Sequence, residues 1–125
     1  FADPFDREDL GITMAKVYGI HEIELHPGAD PTAFEQLFVE GTGLPGPEGW
    51  KSILLKGERG ARKGKYMMMV EIESLAARDR YILDSGPTAE AHELDRYVGD
   101  FWERWQQFTV IPGEGDTFTD YIVVV

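Results

Sequence analysis

The residue of this chain best suited to acid–base chemistry is His21, in the stretch GIHEIELHPG at residues 19–28. A neutral imidazole can accept a proton from a bound phenol or enol. The electron-rich anion that remains is the species that reacts with dioxygen in oxygenases that use neither a metal nor a flavin. Tyr66 is the residue that we expect to assist His21 in this step. The alternative is a buried structural histidine that is hydrogen-bonded to Tyr66 or to a backbone carbonyl.

Apolar side chains that could form an aromatic pocket near His21 come from the predicted helices and from one strand. They are Phe34, Phe38, Met68, Trp102 and Trp105. Ligand pockets are lined mainly by apolar and aromatic side chains. Residues on a helical stripe also serve as ordinary core packing, so both interpretations stay open. Trp102 flanks the stripe, and the rim of a cleft can supply a partner for its indole N–H.

Glu22, Glu24 and His26 alternate along one predicted strand and therefore share one of its faces. Alternate strand residues lie about 6.6 Å apart, which lets their side-chain tips converge on a divalent cation. A hydrated interior or ion pairs with a partner subunit explain the same pattern. We predict no metal or other cofactor, and the alternatives are a cation at these three residues and haem in the aromatic cleft.

The composition limits the partners and the chemistry that need to be considered. A chain of 125 residues fits one compact domain. Cysteine is absent, which excludes disulfides and thiolate nucleophiles and agrees with the cytoplasmic location that we expect. The net charge of −11 makes nucleic acids and anionic membrane surfaces unfavourable partners. No apolar run approaches the roughly 20 residues that span a bilayer.

The remaining patterns predict the elements that position these residues. Residues 1–11 form an acidic N-terminal arm, and residues 12–125 form a single domain. Asp30 and Pro31 mark the start of a helix, as an N-cap residue and a first-turn proline. Strands are predicted at 12–26, 50–56, 65–73 and 117–125, and helices at 31–40, 75–83 and 88–108. The order β-α-β-β-α-β, with the second helix in two parts, indicates an α+β, ferredoxin-like fold with a four-stranded antiparallel sheet.

The alternation of side chains along the strands assigns His21 to the sheet face that the helices cover. Val17 and Ile23 share this face with Tyr66 and Met68 of a later strand. The opposite face carries apolar side chains that a free sheet does not normally show to water, namely Tyr18, Ile20, Met67 and Met69. A second copy of the chain, paired sheet to sheet, would cover them.

Three stretches carry a resemblance to a known group of proteins: HEIELHPGADPTAFEQL, LLKGERGARKGKYMMMVEIES, and ARDRY followed by FWERWQQF. With the element order, they resemble the dimeric α+β barrel superfamily, in particular its antibiotic-biosynthesis-monooxygenase-like and uncharacterised members. The resemblance implies a homodimer in which two sheets form a barrel, with a pocket between the sheet and helices of one subunit. The superfamily holds oxygenases, haem-handling enzymes and proteins of no known activity, so it does not determine a function.

The sequence therefore predicts a protein with a pocket for a small apolar or aromatic molecule. The leading hypothesis is a cofactor-independent monooxygenase or proton-transfer enzyme that acts on a small aromatic or polyketide-like substrate, with His21 as the base. The main alternative is a homodimer that binds a ligand, or has a structural role, without catalysis. Haem binding is the third hypothesis.

Overall fold

The fold is described by a computed structural model for residues 14–110 and 118–125. In chain order its elements are β1 (Val17–Ile23), α1 (Pro31–Thr42), β2 (Trp50–Lys56), β3 (Tyr66–Ile72), α2 (Leu75–Asp79), β4 (Ile82–Leu83), β5 (Gly86–Pro87), α3 (Ala89–Asp95), α4 (Phe101–Phe108) and β6 (Phe118–Ile122). The predicted arm at 1–11 lies outside the described residues. Among the described helices, none has the length and apolar character needed to cross a membrane.

The four longer strands form one sheet in the order β2-β3-β1-β6, and each neighbouring pair is antiparallel. The four-stranded antiparallel sheet predicted from the sequence is therefore confirmed. At its centre, β1 and β3 pair with Val17 opposite Ile72 and with His21 opposite Met68. On the other side of β1, Phe118 of β6 also lies opposite His21. His21 thus has a cross-strand neighbour on each side.

Polar side chains fix the start of the helices that flank the sheet. Asp30 caps α1 by accepting a hydrogen bond of 3.0 Å from the N–H of Thr32, and Pro31 takes the first helical position, as predicted. Ser74 caps α2 by accepting a hydrogen bond from the N–H of Ala77. Each cap satisfies a backbone donor that the helix itself leaves unpaired.

β1 is shorter than the predicted strand at 12–26. It ends at Ile23, and the chain beyond it pairs with the segment that follows α4. Leu25 forms a bridge with Thr109, and the N–H of His26 donates to the carbonyl of Phe108 at 2.8 Å. Apolar and polar residues still alternate through residues 24–26, so the sequence gives no sign that this segment pairs with the chain after α4 and not with β3. The change leaves a groove between β1 and the end of α4.

The predicted helix at 88–108 is divided into α3 and α4 by residues 96–100. Gly99 in this break has a φ of 57°, in the left-handed region that terminates helices and favours glycine. The predicted helix at 75–83 also ends early, at Asp79, and is followed by a hairpin of β4 and β5. Gly86 at that hairpin has a φ of 120°. Glycine thus marks the break between α3 and α4 and the turn of the hairpin, whereas α2 itself ends at Asp79 with Arg80 as its C-cap residue.

Two buried clusters lie between the sheet and the helices. One consists of Val17, Val70 and Ile72, with Leu75 and Ala77 of α2 packed against it. The other consists of Ile23, Phe34 and Tyr66, with Trp105 and Phe108 of α4 packed against it. The strand residues of both clusters share the sheet face that carries His21, which confirms the face assignment made from the sequence. Burial of these side chains is the main driving force that holds the helices on the sheet.

The opposite face of the sheet takes no part in either cluster. The register brings together on it apolar side chains from all four strands: Tyr18, Ile20, Ile53, Leu55, Met67, Met69 and Tyr121. We call these residues the open sheet face. Leu55 is 42% exposed and Tyr121 is 54% exposed. Scattered apolar residues on a surface are common, but a contiguous set of this kind usually marks an interaction site.

Candidate functional site

His21 lies near the end of β1 with its side chain half-buried on the face that the helices cover. Its ring meets the ring of Phe118 edge-on, with centroids 5.7 Å apart and planes at 79°. Among the described residues the imidazole has no hydrogen-bond partner, so the structural role in which it bonds to Tyr66 or to a carbonyl is not observed. No described residue therefore competes with a ligand for the imidazole nitrogens.

A groove of about 160 Å³ lies beside His21, between β1 and the C-terminal end of α4. Its lining residues are His21, Ile23, Glu24, Trp105, Gln106, Thr109 and Val110. Two backbone hydrogen bonds of 2.8 Å, from His26 to Phe108 and from Val110 to Glu24, fasten its two walls together. We call it the His21 groove. An apolar cavity of about 150 Å³ can hold benzene, so this volume suits a single ring.

Trp105 is the member of the predicted aromatic set that lines the His21 groove. Its indole is surrounded by other rings, with centroid distances of 5.1 Å to Phe34, 6.4 Å to Phe38, 6.0 Å to Phe101 and 6.3 Å to Trp102. This packing holds the indole against the helix layer and fixes the face that it presents to the groove.

The other predicted lining residues lie behind or beside Trp105. Phe34 is completely buried and belongs to the core, and Phe38 is half-buried on the next turn of α1. Met68 is half-buried and packs against both core clusters. Trp102 is 49% exposed and contacts Phe101. These side chains support the groove without lining it.

Tyr66 does not line the His21 groove. Its phenol donates a hydrogen bond to the carboxylate of Glu35 on α1. Burial of the ring and the hydrogen bond to Glu35 raise the pKa of Tyr66 to about 12. The ammonium of Lys56 lies 5.4 Å from the centre of the same ring. Tyr66 is thus a phenol that keeps its proton and is already occupied by Glu35.

The three residues considered for a cation do not form a metal-binding group with one another. Glu22 lies 3.5 Å from the guanidinium of Arg62. The backbone of Glu24 accepts a hydrogen bond from Val110, and His26 is exposed beyond the end of β1. Within residues 14–110 and 118–125 there is no group of three or more His, Cys, Asp and Glu arranged to hold a metal ion.

A second groove, of about 410 Å³, lies beside the same end of β1 and faces the turn between β2 and β3. Its lining residues are Glu22, Ile23, Glu24, Leu25, Arg62, Gly64, Lys65 and Tyr66. Arg62 is engaged within it, because its guanidinium lies near Glu22 and donates to the carbonyl of Tyr66 at 3.1 Å. The guanidinium of Arg62 is thus already paired, whereas the His21 groove holds an imidazole with no hydrogen-bond partner among the described residues, so we regard the His21 groove as the stronger candidate for a ligand.

The sequence did not indicate Gln106, Thr109 or Val110 as lining residues. Thr109 is buried, and its hydroxyl donates to the carbonyl of Trp105 at 3.1 Å. These residues reach the groove because the chain pairs with β1 after α4 ends. The only available signal was the apolar stripe of the helix, which stops at Phe108 and says nothing about the direction of the chain beyond it.

Comparison with known proteins identifies no relative of the chain. No family model matches the chain, and no curated protein or solved structure matches it either. The function must therefore be argued from the geometry of the site.

Proposed function

We propose that the protein binds a small aromatic molecule in the His21 groove and that the imidazole of His21 accepts a proton from it. The observation that carries this proposal is an imidazole without a hydrogen-bond partner among the described residues, lining a groove that an indole also lines. No buried side-chain nitrogen or oxygen among the described residues lacks a partner, so the imidazole nitrogens are open to solvent. A hydroxyl group on a bound ring can take the place of water there.

The groove offers complementary surfaces for such a ligand. Trp105 provides a flat aromatic wall, and aromatic rings pack well in offset or edge-on arrangements. A hydroxyl on the ligand can then donate to His21. Transfer of its proton to the imidazole leaves a phenolate whose charge is delocalised over the ring carbons. A positioned general base of this kind typically accelerates a reaction by about 10²–10⁴-fold.

A cofactor-independent oxygenation is a natural continuation of this proton transfer. The phenolate supplies the electrons that reduce dioxygen, and one oxygen atom forms a bond to a ring carbon. The O–O bond breaks, and the second oxygen atom leaves as water, which takes up the proton held by His21 and the hydrogen that the oxygenated ring carbon loses. The substrate is thereby oxidised from a phenol to a quinone. The reaction needs dioxygen and an electron-rich ring in addition to the groove.

We propose further that the fold is ferredoxin-like and that two copies pair through the open sheet face to form a barrel. The strand order β2-β3-β1-β6 and the location of the core on one sheet face support this arrangement. The apolar side chains of the open sheet face support the pairing, because removal of apolar surface from water is the main favourable term in most protein–protein association.

Ligand binding without catalysis is the second candidate function. It is favoured by the position of Tyr66, which was expected to assist His21 but donates to Glu35 instead. A base without an assisting acid can still hold a hydroxylated ligand by a hydrogen bond. The two candidates share one site and differ only in whether the proton moves.

Resorcinol, an electron-rich phenol with one ring, is a suitable probe to separate them. We expect the protein to accelerate the exchange of its ring hydrogens for deuterium, followed by NMR, and to accelerate oxygen uptake. His21→Gln should reduce both rates by about 10²-fold or more. His92→Gln, which changes an exposed histidine on α3, should leave both rates unchanged. Equal rates in the wild type and His21→Gln would exclude catalysis by His21 and favour binding alone.

The dimer is tested separately by light scattering of the purified protein. We expect a mass of twice the subunit, and Met69→Glu should reduce it to one subunit because it places a charge within the open sheet face. Val39→Glu makes a similar change at an exposed site on α1 and should leave the dimer intact. A wild-type protein that stays monomeric at high concentration would refute the pairing.

A further inference from the structure

The His21 groove has an acidic character that limits what can bind in it. Among the described residues that line it, Glu24 is the only carboxylate, and none is a lysine or arginine. The side chain of Glu24 makes no ion pair in the described part of the chain. The guanidinium of Arg62, which lines the neighbouring groove, is engaged by Glu22. Lys65 also lines that neighbouring groove and forms no ion pair with Glu24, so a ligand in the His21 groove meets a carboxylate that no described cation pairs with directly.

Besides Glu24 and His21, the polar side chains of the described groove residues are the amide of Gln106 and the hydroxyl of Thr109, and both are neutral. The hydroxyl of Thr109 already donates to the carbonyl of Trp105, so it can offer a ligand only its acceptor lone pairs. Gln106 is exposed at the rim and can donate or accept. With His21 and Glu24, the groove presents mainly acceptors to a ligand that brings hydrogen-bond donors.

A carboxylate on the ligand fits this surface poorly. It carries no donor at neutral pH, and it brings a second negative charge close to Glu24. Like charges repel more strongly near a protein surface than in bulk water, because the effective dielectric constant is lower there. The net charge of −11 adds a general repulsion of anions. A hydroxyl group on a neutral ring has neither disadvantage.

We propose that the His21 groove selects neutral, hydroxylated aromatic molecules of single-ring size and rejects the corresponding aromatic carboxylates, with Glu24 as the residue that sets this selectivity. The inference rests on the proposed function, because it takes the His21 groove to be the ligand site. It goes further, because it specifies that the ligand is neutral and that Glu24 disfavours carboxylates.

Phenol and benzoate test this selectivity, because both have a single ring and they differ in charge. Each is titrated into the full chain, and the indole N–H signal of Trp105 is followed by NMR, with Trp105→Phe used to assign it. We expect phenol to shift the signal at concentrations at which benzoate does not. Glu24→Gln should tighten benzoate binding by roughly three- to tenfold. Phenol binding should stay nearly unchanged.

The substitution at Glu24 leaves the hydrogen bonds that shape the groove in place, and a control variant separates local from general charge effects. Glu24 is exposed and joins Val110 through its backbone carbonyl, which Glu24→Gln retains. Glu58→Gln makes the same charge change at an exposed position between β2 and β3 and should leave benzoate binding as weak as in the wild type.

The outcomes distinguish the inference from the function on which it rests. Equal affinities of the wild type for phenol and benzoate would overturn the selectivity while leaving the ligand site in place. The same holds if Glu58→Gln tightens benzoate binding as much as Glu24→Gln does. If neither compound shifts the Trp105 signal in any of these proteins, the site itself is refuted, and the proposed function is refuted with it.

Discussion

Replacement of Phe34 by alanine tests whether the aromatic residues behind Trp105 form a packed core or an open pocket. Phe34 is completely buried, and its ring lies 5.1 Å from those of Tyr66 and Trp105 and 5.9 Å from that of Phe108. Loss of a buried ring of this size removes roughly 1.5–3 kcal/mol of transfer free energy. The cavity that remains and the lost ring contacts raise the cost to about 3–5 kcal/mol.

Urea denaturation followed by circular dichroism measures this cost as a change in the free energy of unfolding. Phe38→Ala is the matched control, because Phe38 is only half-buried and lies 6.4 Å from Trp105. We expect that control to cost about 1 kcal/mol, in proportion to its smaller buried area. A loss for Phe34→Ala no larger than that of the control would show that the ring faces open space, and the assignment of Phe34 to the core would be wrong.

Three further predictions concern the surroundings of the groove. Burial and the hydrogen bond to Glu35 raise the pKa of Tyr66 from 10.0 to about 12. The protonated phenol therefore stabilises the folded state fully below pH 10, and this stabilisation is lost as the pH rises through 12. Glu35→Gln should lower that pKa, measured by tyrosinate absorbance; an unchanged pKa would refute the role of Glu35. Gly19→Ala should displace Phe118, because its Cβ would lie 2.9 Å from the tip of that ring; since the ring is 39% exposed and can move, we expect a cost of about 1 kcal/mol or less in denaturation. Asp30→Ala should cost about 1 kcal/mol through loss of the N-cap of α1, and no change would show that the cap is dispensable.

The sequence predicted well those features that depend on local periodicity. Strict alternation placed His21 on the covered face of the sheet, and the register with Met68 agrees with that placement. The pair Asp30 and Pro31 predicted the start of α1, and the structure has it there. In both cases the physical cause is contained in a few neighbouring residues, so one sequence is enough to reveal it.

The shape of the candidate site was less predictable, because it depends on contacts between distant segments. The bridge between Leu25 and Thr109 creates the His21 groove, and neither residue carries a pattern that identifies the other. The hydrogen bond from Tyr66 to Glu35 also joins residues far apart in the chain. The break at Gly99 shows a further limit, since an apolar stripe continued through residues that the structure leaves outside a helix.

The central claim is that the imidazole of His21, which has no hydrogen-bond partner among the described residues, takes a hydrogen bond or proton from a hydroxylated ring. Nitrogen NMR of the imidazole rings during a titration with phenol measures this most directly. We expect the ring nitrogens of His21 to shift on binding, while those of His26 and His92 stay unchanged. Ring nitrogens of His21 that are already hydrogen-bonded without phenol, and that do not respond to it, would contradict the claim.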